Sequence, residues 1–224
     1  MIRLNMVVEG QTEEAFVHAV LEGPLAMRSV FVAVRCVETS RDKRRHKVYR
    51  GGLLDYQRAK GDLLRWLSED RRGDARFTTM FDLYRLPEDF PGREQARRLK
   101  TPWERVEALE SSFRQDINDP RFLPYIQLHE FEALLFVEPS KFDWEFIEHA
   151  GAIARLASIS AKFASPEEIN DTESPSKRII KEIPEYEYQK SSAGPVIASK
   201  IGLPSLRQKC PHFHRWLGLL EALS

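Results

Sequence analysis

Acidic residues recur in this chain where apolar runs end. Glu9 closes the run Ile2-Arg3-Leu4-Asn5-Met6-Val7-Val8, and Glu13 follows four residues later. Asp82 stands near the end of the run over 77–84, and His129-Glu130-Phe131-Glu132 directly follows the run over 122–128. Carboxylates gathered at strand ends suit a hard divalent cation, because Mg²⁺ takes one or two of them together with waters and phosphate oxygens. Each acid also has a plainer role to set against this one. Glu13, in the first turn of a helix, stabilises the macrodipole, and Asp82 can simply open a turn. Glu9 has less of an alternative, since capping the following helix falls to Gln11 or Thr12. If the segment over 129–132 is extended, Glu130 and Glu132 share a face. If it is helical, they lie about 200° apart and at most one reaches a common site.

Two basic segments complement these acids. The stretch over 41–50 carries six Lys or Arg (Arg41, Lys43, Arg44, Arg45, Lys47 and Arg50) against one acid, and Arg93 to Lys100 carries four against one. Both read as loops near strand ends. A basic loop beside a carboxylate-metal site answers the need of phosphodiester cleavage to draw phosphate toward negative side chains. A solvated surface loop explains the same residues more simply. Lys177 and Arg178, in Ser174-Pro175-Ser176-Lys177-Arg178, are candidates to stabilise charge on a transferred phosphate, as the preorganised cations of such sites do. Cys210, His212 and His214 lack the second ligand pair that a zinc site needs, and read as packing residues. His129 can assist as a base or hydrogen-bond a carboxylate structurally, and the second is the simpler reading. Gly10 alone is no dinucleotide loop.

The elements that must position these groups alternate. The run over 2–8 reads as a strand buried on both faces, followed by a turn and a helix over 12–21. A second strand over 30–38, a helix over 53–69, a third strand over 77–84 and a helix over 102–117 come next. Thr101, Pro102 and Glu104 mark the start of the last helix with capping-box spacing. The fourth strand candidate, over 122–128, carries Pro124 and so suits an edge or a strand start. This alternation predicts an α/β fold with a mostly parallel four-stranded sheet flanked by helices. Strand patterns end near residue 138. A helix start at Ser165-Pro166-Glu167-Glu168 and a terminal helix over 205–223, interrupted at Pro211, predict a helical carboxyl-terminal extension. The expected organisation is an α/β core over 1–138 and an extension over 139–224 packed on it, within a single compact domain.

Composition sets the outer bounds. With 224 residues, 42% of them hydrophobic and 10% aromatic, the chain can bury a sizeable core. Thirty-four Lys plus Arg balance 34 Asp plus Glu, which excludes binding to nucleic acid through bulk charge alone. The zero is an average: residues 129–174 hold ten acids and three bases, opposite in sign to 41–50. No apolar run approaches the roughly 18–20 residues of a membrane span. The amino terminus has no signal layout, so the expected compartment is the cytoplasm. Cys36 and Cys210 read as reduced thiols.

Taken together, the motifs resemble a known family. Val7-Val8-Glu9-Gly10-Gln11-Thr12-Glu13 resembles the first motif of the topoisomerase-primase (Toprim) fold as it stands in the overcoming-lysogenization-defect type nucleases. The whole chain resembles a Toprim-like bacterial family, domain of unknown function 4276. The likeness runs through Phe81-Asp82-Leu83-Tyr84, Asp89-Phe90-Pro91-Gly92, Arg121-Phe122-Leu123-Pro124-Tyr125 and Leu128-His129-Glu130-Phe131-Glu132-Ala133-Leu134-Leu135-Phe136. It continues through Pro166-Glu167-Glu168-Ile169-Asn170, Ser174-Pro175-Ser176-Lys177-Arg178 and Lys209-Cys210-Pro211-His212-Phe213.

The resemblance implies a Mg²⁺ or Mn²⁺ site at the strand ends. It assigns Glu9 to catalysis or metal binding and Glu13 to metal binding. The Toprim third-strand motif is Asp-any-Asp; here Asp82 matches and Tyr84 stands in place of the second Asp. The chain thus departs from the two-metal pattern, and Glu130 or Glu132 can supply the missing ligand. The implied activity is metal-dependent nucleic-acid cleavage, with Glu9 and Asp82 in catalytic roles; the residue reading adds Lys177 to these and Arg178 and the basic segment as contacts to nucleic acid. By the same analogy the partner is an ABC-type ATPase, in phage defence. The contrasting expectation, which Tyr84 motivates, is a non-catalytic module that binds nucleic acid or regulates such an ATPase.

Overall fold

The computed structural model describes residues 1–42, 47–50, 53, 55–169 and 173–223. β1 (Ile2–Val8) is buried along nearly its whole length, as its apolar run requires of a strand covered on both faces. Through Glu9 and Gly10 it enters α1 (Gln11–Phe16), which continues by a π-helical turn over Val17–Leu21 into α2 (Glu22–Ala26), beyond the expected end at 21. β2 (Val30–Cys36) pairs in parallel with β1.

The expected basic loop after β2 is instead an antiparallel hairpin, β3 (Glu38–Asp42) and β4 (Lys47–Arg50). Pairing gives the backbone amides and carbonyls of this segment partners that an open loop would have to find in water. Arg41, Lys47 and Arg50 take strand positions in the hairpin. Lys43, Arg44 and Arg45 lie outside the described residues.

α3 (Tyr56–Glu69) starts three residues later than expected because Asp55 caps it, accepting the Arg58 amide at 3.2 Å. β5 (Ala75–Asp82) ends at Asp82, and Leu83–Arg85 form a 3₁₀ turn that takes Tyr84 out of the sheet. α4 (Arg93–Arg97) and α5 (Pro102–Ile117) follow; the Thr101–Glu104 capping box forms as the spacing predicted. The fourth strand is split. β6 (Phe122–Leu123) and β7 (Ile126–Gln127) both pair in parallel with β5. Pro124 has no N–H to give to a ladder. Thr78 and Thr79 bridge the gap from β5: the Thr78 hydroxyl donates to the Leu123 carbonyl, and Thr79 Oγ1 exchanges hydrogen bonds with the Tyr125 backbone at 3.0 and 3.1 Å. The sheet order is β2-β1-β5 followed by β6 and β7, and among the described residues all its pairings are parallel.

No strand follows β7 among the described residues. Three 3₁₀ segments (Phe131–Val137, Pro139–Trp144 and Ile147–His149) lead into α6 (Ala150–Ser160). The expected helix at Ser165 is a single 3₁₀ turn, Pro166–Glu168, capped by the Ser165 hydroxyl. α7 (Pro175–Glu182), α8 (Tyr186–Ile201), α9 (Leu203–Lys209) and α10 (Pro211–Glu221) complete the chain, with the break before Pro211 where the sequence placed it. Among the described residues no helix is long and apolar enough to cross a membrane.

Alternation along the strands sorts side chains to two faces. Ile2, Leu4, Met6 and Val8 of β1 and Met80 of β5 pack with α1, α2 and the carboxyl-terminal helices. Val7, Phe77 and Phe81 pack with α3, α4 and α5. α10 is joined to the sheet by a buried polar contact, the Trp216 indole N–H donating to Thr78 Oγ1 at 3.0 Å, while the Trp216 ring stacks on Tyr125 at 4.1 Å. Both cysteines are buried and not joined in a disulfide, Cys36 at the end of β2 and Cys210 between α9 and α10.

Candidate functional site

In an α/β sheet of parallel strands, ligands gather beyond the carboxyl ends, and that is where five acids of this chain meet. β1 delivers Glu9 and β5 delivers Asp82. The turn into α1 brings Glu13, and the segment after β7 brings Glu130 and Glu132. All five are 6% exposed, a degree of burial that charged residues rarely reach without partners.

Local geometry explains each placement. Gly10 is the cap residue of α1, and its N–H donates to Glu13 Oε2 at 2.8 Å, so the helix start turns this carboxylate back toward β1. Glu9 Oε2 accepts the backbone N–H of Asp82 at 3.3 Å, joining two neighbouring strand ends. A second backbone hydrogen bond reaches Glu9 from Leu53. After β7 the chain turns sharply at His129, whose φ of 65° is left-handed, a conformation His tolerates better than most residues. The His129 carbonyl accepts the Tyr84 amide at 3.0 Å, and its Nε2–H donates to the Glu167 carbonyl at 2.6 Å. The bond is structural, but its partner is a backbone carbonyl and not the carboxylate that the sequence suggested.

The open question between extended and helical geometry at 129–132 has a mixed answer. Glu130 is extended and the 3₁₀ turn begins at Phe131, so both acids face the cluster. Glu130 accepts the Ser176 amide at the start of α7. Glu132 Oε1 lies 3.5 Å from the Tyr186 hydroxyl and 3.6 Å from Lys190 Nζ, both on α8.

Burial and mutual repulsion dominate the electrostatics. Loss of solvation pushes Glu9 up to about 7, opposed by its backbone hydrogen bonds and by Arg85, whose Nε stands 4.0 Å away. Glu13 is raised to about 7 by burial and by the charge of Glu9. Glu132 is raised to about 7 by burial and by Glu130, with Lys190 pulling the other way. Asp82 is raised well above the usual carboxylate range, first by burial and then by the charges of Glu9, Glu13, Glu132 and Glu130. Charges from one stretch therefore act on acids of another, although the five come from three separate stretches of chain.

Among the described residues no group of three or more His, Cys, Asp or Glu side chains is arranged to hold a metal ion. The partners show why. Glu9, Glu13, Glu130 and Glu132 each turn toward a different donor, as like charges do when nothing positive stands between them. Asp82 is the exception, because its Oδ1 is buried without a hydrogen-bond partner. A buried oxygen without a donor amid four other carboxylates fits a hard cation, and an all-oxygen set favours Mg²⁺ or Mn²⁺ over softer metals.

The basic candidates divide. Lys177 is exposed on α7 and is not ion-paired with these acids. Arg178 is half-buried, donates to the Glu173 carbonyl at 2.9 Å, and its charge reaches Tyr84. The cations that reach the acids, Arg85 and Lys190, are ones that motif reading missed. A signal for Lys190 was available, since Tyr186 and Lys190 stand four apart in a helix and so share a face.

The fold and the site together define an α/β protein whose parallel sheet carries a buried carboxylate cluster at its carboxyl edge. A family profile described as Domain of unknown function (DUF4276) matches residues 8–221, and the chain belongs to that family. No curated protein and no solved structure matches the chain.

Proposed function

We propose that this protein is a nuclease that hydrolyses phosphodiester bonds of DNA or RNA with Mg²⁺ or Mn²⁺. The observation that carries the reading is Asp82, buried without a donor for Oδ1 among Glu9, Glu13, Glu130 and Glu132. These five residues would hold the ion. When bound, it supplies Lewis acidity to the phosphoryl oxygen and to the attacking water. Glu9 and Asp82, on neighbouring strands, form the rigid base of the cluster. Glu130 and Glu132 stand in for the second Asp that Tyr84 displaces. Lys190 and Arg85 offset charge that develops on phosphorus, and Lys177 and Arg178 extend that positive rim from α7. In this reading residues 1–138 form the catalytic core and 139–224 a cover that brings Lys190. The basic hairpin guides nucleic acid toward the acids. By resemblance to Toprim nucleases, the proposal includes a cytoplasmic setting, an ABC-type ATPase partner and a role in phage defence.

The test is divalent-metal-dependent cleavage of mixed DNA and RNA by the wild type and by Glu9→Gln. Cleavage by the wild type, lost in the variant, supports the reading. Cleavage unaffected by the substitution overturns this assignment of the centre. A second reading, a non-catalytic module that binds nucleic acid or regulates an ATPase, draws on Tyr84 and on the divergent partners of the acids. It expects nucleic-acid binding with no cleavage in the presence of any partner ATPase.

A further inference from the structure

Two cavities that share Pro102 lie beyond the turns after β5 and β7. The nearer, of about 210 Å³, is lined by Tyr84, Arg93, Arg97, Arg105 and His129. None of the five acids lines it, but Tyr84, two residues after Asp82, and His129, which precedes Glu130, bring its wall next to the cluster in the chain. The farther, of about 490 Å³, is lined by apolar Pro102, Trp103, Leu128 and Pro211 and by polar residues that include Glu167 and Glu168. Pro102 belongs to both, and Leu128 and His129 are consecutive residues on either side of the divide.

The nearer cavity is built for an anion. Arg93 and Arg97 share one carboxylate, that of the exposed Glu88, while Arg105 is braced by the Leu99 carbonyl at 2.9 Å. Arg93 Nε is buried without a hydrogen-bond partner. Three guanidiniums set against one solvated carboxylate leave net positive charge facing the space. Burial keeps the Tyr84 hydroxyl protonated and hence a donor. Gly92 fixes this arrangement: its φ is 77°, and a Cβ there would overlap the Ser112 side chain of α5. Only glycine lets the chain pass so close to α5 and present Arg93 and Arg97 from α4. The farther cavity has the other character. An indole, two prolines and a leucine give it flat apolar surface, interleaved with the polar Thr101, Ser165, Glu167 and Glu168, and its volume falls in the about 300–1,000 Å³ range of small-ligand sites.

We infer that these cavities hold one nucleotide unit of an unpaired strand, its phosphate among Arg93, Arg97 and Arg105 and its base against Trp103. The spatial order of acids, arginines and apolar cavity matches the order of scissile phosphate, neighbouring phosphate and base. A base stacked within a duplex does not enter such a cavity without being extruded, which costs free energy that single strands do not spend. The substrate class is therefore single-stranded or unpaired nucleic acid. This inference rests on the nuclease reading of the acid cluster for its context, but binding tests it without cleavage.

The experiment measures fluorescence anisotropy of a labelled single-stranded oligonucleotide, its blunt duplex and a free mononucleotide competitor, without divalent metal. Wild type, Trp103→Ala, Trp103→Phe and the double variant Arg97→Ala with Arg105→Ala are compared after thermal melts confirm folding. The expected result is single-strand binding weakened about tenfold by Trp103→Ala and by the arginine double variant, retained by Trp103→Phe, and exceeding duplex binding by about tenfold. Equal affinity for duplex and single strand overturns the inference, as does binding indifferent to these variants or no binding of the single strand. A mononucleotide that competes as well as the strand reassigns the cavities to a free nucleotide and also overturns it. Failure of cleavage with intact single-strand binding would instead count against the nuclease reading alone.

Discussion

The backbone N–H of Asp82 donates to the Glu9 carboxylate at 3.3 Å, while Asp82 Oδ1 is buried with no donor of its own. The bond ties the ends of two neighbouring parallel strands and satisfies one acid at the other's expense. Without a cation, Asp82 sits in a field of four like charges that burial does little to screen.

Removing that charge should therefore stabilise the metal-free protein. Asp82→Asn is expected to raise stability at pH 8 by about 1–2 kcal/mol, a Tm increase of a few degrees for a chain of this size. It should also lose most of the stabilisation by Mn²⁺. The wild type is expected to gain about 3 kcal/mol at a hundredfold excess of metal over Kd. Thermal melts with and without MnCl₂ check both. A Tm that falls in the metal-free variant would mean that Asp82 has a donor.

The acid cluster also sets a pH dependence. Glu9, Glu13 and Glu132 titrate near 7 in the folded chain against about 4.5 unfolded. The folded state thus binds protons that the unfolded state has released, and stability contributed by the cluster falls as pH rises from about 4.5 through 7. Denaturant unfolding without metal should give a stability at pH 5 exceeding that at pH 8 by a few kcal/mol, of the order that coupled shifts of this size imply. Glu9→Gln should flatten the slope. A profile that rises toward pH 8 would contradict the raised carboxylates.

Lys190 offers a way to separate binding from catalysis. Its ammonium lies 3.6 Å from Glu132, so it competes with a cation for that carboxylate while standing ready to offset charge on phosphate. Lys190→Ala is expected to bind Mn²⁺ at least as tightly as the wild type, followed by paramagnetic resonance of the free ion. Its cleavage rate should fall by about a hundredfold. A loss of metal affinity would instead make Lys190 a structural support of the cluster.

Gly194 on α8 tests how tightly the cover fits. A Cβ at this position meets Phe131 and the Tyr186 hydroxyl at 3.0 Å, and both residues are fully buried. Neither can move aside cheaply, so Gly194→Ala should destabilise by about 1–3 kcal/mol, despite alanine's better helix propensity. It should also disturb the Tyr186–Glu132 contact. Equilibrium unfolding measures the first effect, and a shift in metal affinity reports the second. An unchanged Cm would show that the α8 packing yields.

Much of the fold was legible in the sequence because its signals are local. The buried apolar run of β1, the Thr101–Glu104 capping box of α5 and the helix break at Pro211 each depend on residues within one turn or strand. The errors arose where backbone pairing across segments decided the outcome. The stretch over 41–50 reads as a loop by its charge, yet β3 and β4 pair. The run over 122–128 reads as one strand, but Pro124 splits it and threonine side chains from β5 bridge the gap. Glu9, Glu13, Asp82, Glu130 and Glu132 were legible as candidates because each follows an apolar run. Arg85 was not, since a single cation in a turn carries no pattern of its own, and Lys190 had only its helical spacing from Tyr186 to mark it.

The sequence by itself determined which residues are acidic, that they stand at strand ends, and that strands and helices alternate. Only the tertiary structure decided that five buried carboxylates come within electrostatic reach of one another, because the parallel order β2-β1-β5 brings distant strand ends together. It also determined that Glu130 and Glu132 both face the cluster, through the left-handed turn at His129, and that Asp82 alone lacks a donor. Periodicity reports which side of an element faces the core, but the charge a side chain feels depends on what the rest of the chain places beside it.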